Sequence, residues 1–240
     1  MQQMFHRSQM RNIQILETER QVRIALIHAM QESIAPIRVA LAQEFPQAEP
    51  FDLLDTTLAS DRSNGGREVD EELDRRFMAL TAYALDARAC AILFTCSAFG
   101  SQIDRVRAKH PSTIIRKPNE AMIAAVSHYK RIGLIASFAP TLASMMNEFP
   151  EPERLRPILA MEALDALRAG DGEAHDYHVK KTAAAFADQV DCFALAQFST
   201  ARAAPSLEVA YGKPVLATPN LAARELRLAL GAARPGKEID

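Results

Sequence analysis

The sequence is poor in several residue types, and each shortage argues against a class of protein. It contains no tryptophan, 9 glycines and 3 cysteines in 240 residues. Cys90, Cys96 and Cys192 have no paired spacing, which argues against a disulfide framework and favours a reducing, cytoplasmic location. Neither a G-x-G-x-x-G segment nor a P-loop is present, which weakens a nucleotide-binding interpretation. No apolar run approaches the ~18 residues that a membrane span needs.

Charge of neither sign is in excess. The formal net charge is -2 and the pI is near 6.3, so neither nucleic acid nor a membrane is predicted as a partner. Residues 1–20 form a polar lead-in, whose charges at Arg7, Arg11 and Glu17 argue against a secretory signal. The remaining length, in a chain that is 48% apolar, allows one large domain or two of ordinary size.

The most informative stretch is an apolar run that ends in polar residues. Residues 89–94 are typical of a strand buried on both faces, as in a parallel sheet covered by helices. Thr95, Cys96 and Ser97 follow, at the strand end where open parallel sheets bind ligands. Residues 101–109 are predicted to form a helix, whose N-terminus favours an anion and lowers the pKa of a thiol. We therefore predict a Cys96 thiolate beside a bound carboxylate.

A weak internal repeat indicates the architecture. Residues 131–138 resemble residues 23–29, and residues 190–199 resemble the stretch around Cys96. Strands alternate with helical patterns, which is typical of right-handed βαβ units. We predict an α/β protein of two pseudo-symmetric, doubly wound lobes, each with a mainly parallel sheet flanked by helices, and an active-site cleft between them.

The predicted lobe boundaries follow from this repeat. The first lobe is expected to comprise residues 21–118 plus 206–240, and the second lobe residues 119–205. The segment from Thr56 to Gly66 is rich in Ser, Thr, Asn and Gly, and we predict a loop that is long enough to be a functional lid.

Several blocks in the same order resemble the Asp/Glu/hydantoin racemase superfamily, which also holds maleate isomerase and arylmalonate decarboxylase. The blocks are Thr95–Gly100, Lys117–Met122, residues 131–141, Leu195–Ser199 and Pro214–Leu216, and the resemblance covers about residues 22–230. It implies proton transfer at a carbon beside a carboxylate, with a small carboxylate as substrate and no cofactor. It also implies a homo-oligomer, because dimers are common in the superfamily.

The resemblance also implies where a catalytic residue lies. Members commonly use two cysteines, one from each lobe, and Cys96 occupies the first-lobe position. Gln197, or within a residue Phe198, stands where the second cysteine should be. Cys192 lies about five residues too early, and we expect both Cys192 and Cys90 to be buried core residues. One well-placed thiol remains, so racemisation through a cysteine pair is in doubt. A buried core cysteine is the alternative for Cys96 as well.

Further candidates lie at the strand-to-helix junctions of both lobes. The predicted substrate-binding residues are Thr95, Ser97, Asn119, Ser137, Phe138, Thr141, Gln197 and Ser199. Helix capping is an alternative role for Thr95, Ser97, Asn119 and Thr141.

His28 and Asp55 end the first two predicted strands, and either could supply a second acid or base. For His28 the alternative is a hydrogen-bonded structural histidine. His175 and His178 have a spacing that a metal could use, but no partner motif supports them, so we predict a surface helix and no metal site. Three functions remain open: an isomerase or racemase, a single-cysteine decarboxylase of malonate-type acids, and a protein that only binds small carboxylates.

Overall fold

A computed structural model of the chain describes residues 22–64 and 67–232, without the side chains of residues 67–69 and 232. The polar lead-in, residues 1–20, lies outside the described residues. The strands are β1 (Val22–His28), β2 (Ala48–Leu54), β3 (Ala91–Phe94), β4 (Ile114–Arg116), β5 (Ile132–Ala136), β6 (Leu155–Leu159), β7 (Cys192–Leu195) and β8 (Val215–Ala217).

The α-helices alternate with these strands. They are α1 (Ile34–Glu44), α2 (Thr57–Asn64), α3 (Arg67–Asp86), α4 (Gly100–Lys109), α5 (Glu120–Ala125), α6 (Ala139–Met146), α7 (Met161–Arg168), α8 (Gly172–Ala184), α9 (Ala204–Tyr211) and α10 (Thr218–Ala232). Within the described ranges, no helix is long and apolar enough to cross a bilayer.

The strands form two parallel sheets with the same topology. The strand order is β2-β1-β3-β4 in the first sheet and β6-β5-β7-β8 in the second. Ile24 of β1 pairs with Ala91 of β3, and Ile132 of β5 pairs with Cys192 of β7, so the repeated segments occupy equivalent places. The predicted fold class, two pseudo-symmetric α/β lobes, is confirmed.

Each sheet is covered by helices on both faces, which explains its continuous apolar strands. In β1, Ala25 and Ile27 pack with α3 and α4, whereas Ile24 and Leu26 pack with α1 and α10. In the second lobe, α5 and α6 cover one face, and α7, α8 and α9 cover the other. The doubly wound arrangement sends the carboxyl ends of both sets of strands to the same region between the lobes.

The return of the chain to the first lobe comes later than we expected. Residues 206–240 were assigned to the first lobe, but Leu207 of α9 is part of the second-lobe core. β8 pairs with β7, so it too belongs to the second sheet. Only α10 crosses back, placing Ala223 and Leu226 against α1 and β1. An apolar sequence pattern predicts that a strand forms, but it does not predict which of two sheets a strand at the edge joins.

The predicted lid loop differs from the structure as well, because residues 57–64 form helix α2. Asp55 starts this helix by accepting hydrogen bonds from the backbone N–H and the hydroxyl of Thr57. Leu58 and Ala59 are buried against the first-lobe core. Ser, Thr and Asn are frequent in loops, but here burial of two apolar residues stabilises a helix instead.

Close packing at the second sheet predicts the effect of a small substitution. A Cβ atom at Gly133 would lie 2.7 Å from Cδ1 of Phe193, whose ring is fully buried. We expect Gly133→Ala to lower the free energy of unfolding by about 1–3 kcal/mol in urea denaturation, because the core would be overpacked. Gly231→Ala is the control: a Cβ there meets nothing within 4 Å, and alanine favours a helix. Equal effects of the two changes would contradict the packing argument.

Candidate active site

The loops that follow β3 and β7 meet directly between the lobes. The hydroxyl of Ser97 donates a 2.7 Å hydrogen bond to the carbonyl oxygen of Ala196. Cys96 precedes Ser97 and Gln197 follows Ala196, so the predicted catalytic residue and the residue in place of its partner flank this contact. The seam between the lobes is closed here.

Cys96 lies at this seam but is enclosed. Only 8% of the residue is exposed, and it belongs to the first-lobe core. Leu164 and Phe138 reach across from the second lobe and pack against the same core. Cys96 borders a narrow void that admits no water molecule; the void is also lined by Ile27, His28, Ala29, Leu58, Phe77 and Phe94. The thiol therefore has no room for a substrate in the closed arrangement.

The protonation state of Cys96 follows from this enclosure. Burial raises the pKa of the thiol to about 11, although the backbone N–H of Ala98 and the charge of Arg62 act in the opposite direction. The predicted lowering of this pKa is therefore wrong for the closed arrangement. A 3-10 turn, Ser97–Phe99, separates Cys96 from α4. The loss of water around the thiol therefore raises its pKa by more than the polar groups at the helix start lower it. Closed, the site holds a neutral thiol at physiological pH.

His28 is part of a buried network beside Cys96. Its Nδ1 lies 2.8 Å from the hydroxyl oxygens of both Ser33 and Thr95, and its Nε2 lies 3.0 Å from Asp52. Arg38 holds the second oxygen of Asp52. Burial lowers the pKa of His28 against the influence of Asp52. The network joins residues near the carboxyl ends of β1, β2 and β3. His28 is therefore a hydrogen-bonded structural histidine in this arrangement. The Thr95 hydroxyl belongs to the same network and does not cap a helix.

Asp55, the other candidate acid or base, is bound to an arginine. Arg76 contacts its carboxylate, and Thr57 donates to the other oxygen. Burial alone would raise the pKa of Asp55, but the hydrogen bonds from Arg76 and Thr57 lower it. The carboxylate is a helix cap and an ion-pair partner in this arrangement.

Polar groups of the second lobe converge on the same seam. The side-chain oxygen of Gln197 accepts hydrogen bonds from the backbone N–H of Ser137 at 2.6 Å and from its hydroxyl at 3.1 Å. This fixes the amide with its oxygen towards Ser137 and leaves its NH₂ group available as a donor. Thr141 is fully buried, and its hydroxyl has no hydrogen-bond partner among the described residues. Phe138, not Thr141, occupies the N-cap of α6.

A carboxylate from the second lobe occupies the start of α4. Glu148 accepts a 2.9 Å hydrogen bond from the Asn119 side chain and lies 3.5 Å from the ammonium group of Lys117. A Cβ atom at Gly100 would lie 2.0 Å from its Oε1, so the Glu148 side chain could not keep this position beside any other residue. Burial raises the pKa of Glu148, and Lys117 opposes the rise. We predicted a substrate anion at this helix start, and the structure places Glu148 there.

Glu148 was not identified from the sequence. The only signal was Gly100 at the start of a predicted helix, and it does not reveal which side chain approaches. The carbonyl oxygen of the Asn119 side chain has no partner within the described ranges, and Asn119 does not cap α5.

Two open grooves border the seam and receive the remaining candidates. The first has a volume of about 690 Å³ and includes Ser199, Arg168 and Arg202. The second, of about 570 Å³, includes Ser137 and Phe138. The predicted site residues are thus divided among a closed void, the direct lobe contact and two grooves.

The structure contradicts two sequence predictions for residues away from the seam. Cys90 is exposed, because it precedes the first buried residue of β3, whereas Cys192 is buried as predicted. His175 lies in the core instead of on a surface, with Nδ1 2.8 Å from Asp176. No cluster of His, Cys, Asp and Glu in the described part of the chain could hold a metal ion.

Comparisons with known proteins support the architecture. No family model and no curated protein matches the sequence. Glutamate racemase from Francisella tularensis, in complex with D-glutamate, superposes with a TM-score of 0.69 at 13% identity, covering 89% of this chain and 82% of that one. Allantoin racemase from Klebsiella pneumoniae gives 0.59 at 12% identity, covering 91% and 96%. A cysteine-exchange mutant of arylmalonate decarboxylase, in the liganded form, gives 0.57 at 13%, covering 90% and 95%.

The three neighbours are two racemases and a decarboxylase. At such identities the likeness establishes the two-lobed fold.

Burial predicts an order of reactivity for the three thiols. Iodoacetamide at neutral pH is expected to modify exposed Cys90 and to leave Cys96 and Cys192 largely unmodified, as measured by peptide mass spectrometry. The modification of Cys96 should accelerate as the pH approaches about 11, where its thiolate forms. A Cys90→Ser variant removes the competing site. Rapid modification of Cys96 at neutral pH would show that the closed seam is not the main state.

The buried position of Glu148 predicts a pH dependence of stability. A carboxyl group whose pKa rises on folding binds its proton more tightly in the folded state. Its stabilising contribution is therefore full at low pH and is lost as the pH rises through the folded pKa.

We expect wild type to lose stability relative to Glu148→Gln as the pH rises above the ordinary glutamate pKa of 4.5, measured as the urea midpoint. Exposed Glu153→Gln provides a control that removes the same charge. If wild type instead gains stability relative to Glu148→Gln over this range, the carboxylate is not buried as described.

Proposed function

We propose that the protein is a cofactor-independent isomerase or racemase that moves a proton at the carbon beside a carboxylate. The supporting observation is a single thiol, Cys96, at the seam where the strand ends of both lobes meet. On the opposite lobe, the hydroxyl of Thr141 and the NH₂ group of Gln197 have no hydrogen-bond partner among the described residues. Amino acids, hydantoin-like compounds and dicarboxylic acids are the substrate classes that fit this chemistry.

The chemical difficulty of such a reaction is charge. Removing a proton beside a carboxylate builds an enediolate with two adjacent negative oxygens. Preorganised donors stabilise such charge, and one donor contributes roughly 3–4 kcal/mol. The hydroxyl of Thr141 and the NH₂ group of Gln197 are suitable donors, because neither has a partner in the described part of the chain. Cys96 would remove the proton as thiolate, or return one as thiol, on its own face of the substrate. Inversion also requires a second acid or base on the opposite face, whereas exchange with retention needs Cys96 alone.

Activation of Cys96 requires the lobes to separate. The closed void excludes water and substrate, and burial is the largest cause of the raised thiol pKa. Opening relieves that cause, while the N–H of Ala98 continues to favour the thiolate. Substrate entry and thiol activation would then be one conformational step, as in enzymes gated by domain closure.

A second candidate function is decarboxylation of malonate-type acids. Gln197 stands where a second thiol would be needed, and a carboxamide cannot act as a general acid or base at neutral pH. Loss of carbon dioxide leaves an enediolate that needs only one proton donor, and Cys96 alone can serve. Under either reaction the exposed thiol of Cys90 and the thiol of Cys96 fit a reducing, cytoplasmic location.

Isotope exchange separates these functions. Single-enantiomer amino acids and hydantoins are incubated with the protein in heavy water, and α-deuterium and optical purity are followed. Exchange with inversion supports a racemase, and exchange without inversion supports proton transfer on one face. Release of carbon dioxide from substituted malonates supports the decarboxylase. If no panel member reacts while dicarboxylates raise the melting temperature, the catalytic proposal is wrong and binding alone remains.

The role of Cys96 has a direct test. Cys96→Ser is expected to abolish turnover, because serine is far less acidic than cysteine, whereas Cys90→Ser should retain wild-type kcat/KM. Retained activity in Cys96→Ser would show that another residue handles the proton.

Removal of the Thr141 hydroxyl is expected to lower activity without lowering stability. Thr141→Val keeps the shape of the side chain and removes a buried hydroxyl that lacks a partner in the described structure. The free energy of unfolding should therefore stay the same or rise by about 1 kcal/mol. Loss of one donor to the enediolate should lower kcat by about 10²–10³-fold. Thr182→Val, which removes a hydroxyl bonded to the carbonyl of His178, is the control and should leave kcat unchanged. Unchanged kcat in Thr141→Val would exclude this donor role.

A further inference from the structure

The larger of the two open grooves described above lies outside the site described for Cys96. This Ser199 groove has a volume of about 690 Å³, within the range of small-molecule sites. Its first-lobe wall is the start of α1 with the turn before it, and its second-lobe wall is the end of α7 with the 3-10 helix Ser199–Ala203. The start of α10 completes it. Both lobes thus contribute to one open cavity for which the reaction proposed at Cys96 has no use.

Two guanidinium groups line the Ser199 groove. Arg202 donates from Nε to one oxygen of Asp176 at 2.9 Å and from Nη2 to the other at 3.3 Å. Its planar group lies against Gly172, where a Cβ atom would come within 2.2 Å. Arg202 is therefore held in place, with its remaining N–H groups available. Arg168 reaches Glu32 across the seam at 3.8 Å, which is longer than a hydrogen bond.

The hydroxyl of Ser199 is a third group without a local role. Ser199 is 95% buried, since 5% of it is exposed, and it lines the groove. Its hydroxyl makes no hydrogen bond to the residues that the structure describes. Because Ser199 lines the groove, a ligand there can accept a hydrogen bond from its hydroxyl.

One wall of the groove is apolar. Val39 is 57% exposed, and Pro36, Leu167 and Pro219 extend the same surface. An apolar side chain with this exposure gains free energy when a ligand covers it. The groove therefore combines a hydrogen-bonding end, lined by Arg168, Arg202 and Glu32, with an apolar side.

We propose that the Ser199 groove is a second binding site, separate from the Cys96 site, for an organic carboxylate with an apolar body such as an aryl group. The carboxylate binds to Arg168, Arg202 and the hydroxyl of Ser199. The apolar body lies on Val39 and Leu167. Such a ligand contacts both lobes at once, so its binding favours the closed arrangement of the seam. The site does not depend on the reaction proposed at Cys96.

The ligand class is tested with three probes on the full chain. Phenylacetate carries both features, acetate lacks the apolar body, and 2-phenylethanol lacks the charge. Titration calorimetry is expected to show phenylacetate binding at least about tenfold more tightly than either of the others, because each lacks one half of the recognition. Absence of phenylacetate binding, or equal binding of the uncharged alcohol, would overturn the proposal.

Substitutions test where phenylacetate binds. Arg168→Gln and Ser199→Ala should each weaken phenylacetate binding, the first by about tenfold, because a charge-assisted hydrogen bond is lost. Arg227→Gln removes the same charge from an exposed position outside the groove and should leave the affinity unchanged. Cys96→Ser should also bind normally.

The outcomes separate the two proposals. If affinity is lost in Cys96→Ser and kept in Arg168→Gln, phenylacetate occupies the Cys96 site and the second site does not exist. Failure of turnover in the wild type, with binding that depends on Arg168, would overturn the proposed reaction and leave the Ser199 groove in place.

Discussion

Direct contact between the two lobes, at the carboxyl ends of their strands, is the constraint on which the rest of the site depends. The hydrogen bond from Ser97 to the carbonyl of Ala196 and the approach of Glu148 to Gly100 hold the loops of both lobes together. In most parallel sheets of this kind the strand ends border an open crevice. Here the same ends exclude water, which sets the pKa of Cys96 and leaves the substrate space closed.

This closure explains the unusual condition of the polar groups around the seam. Glu148 takes the place at the helix start that a ligand anion would otherwise favour, while the hydroxyl of Thr141 and the side-chain oxygen of Asn119 lack partners in the described structure. Buried polar atoms without partners raise the free energy of the closed state by about 1–3 kcal/mol each. A bound carboxylate can accept a hydrogen bond from the hydroxyl of Thr141, whereas the Asn119 oxygen needs a donor such as an ammonium group of the ligand. An arrangement in which a ligand satisfies these atoms is correspondingly favoured, and ligand binding then shifts the population between states. The closed seam and the proposed proton transfer are compatible for this reason.

Several features were predictable because they depend on local pattern. The apolar strands, their alternation with helices and the repeat between the halves sufficed for the two-lobed fold, and Cys192 is buried in β7 as its apolar neighbours indicated. Other features were not. Cys90 differs from Cys192 only by lying one residue before its strand, a boundary that periodicity does not resolve. β8 joins the second sheet because of pairing with β7, which no property of its own three residues specifies.

The sequence by itself determined the two α/β lobes, the place of Cys96 at a strand end and the presence of glutamine in the equivalent region of the second lobe. These depend on the order of apolar and polar residues along the chain. Tertiary structure alone decided that Cys96 is enclosed and neutral, that His28 binds Ser33, Thr95 and Asp52, and that Glu148 reaches Gly100. Burial, the pKa of a group and the choice of its partner are set by atoms that are distant in sequence, and only folding brings those atoms together.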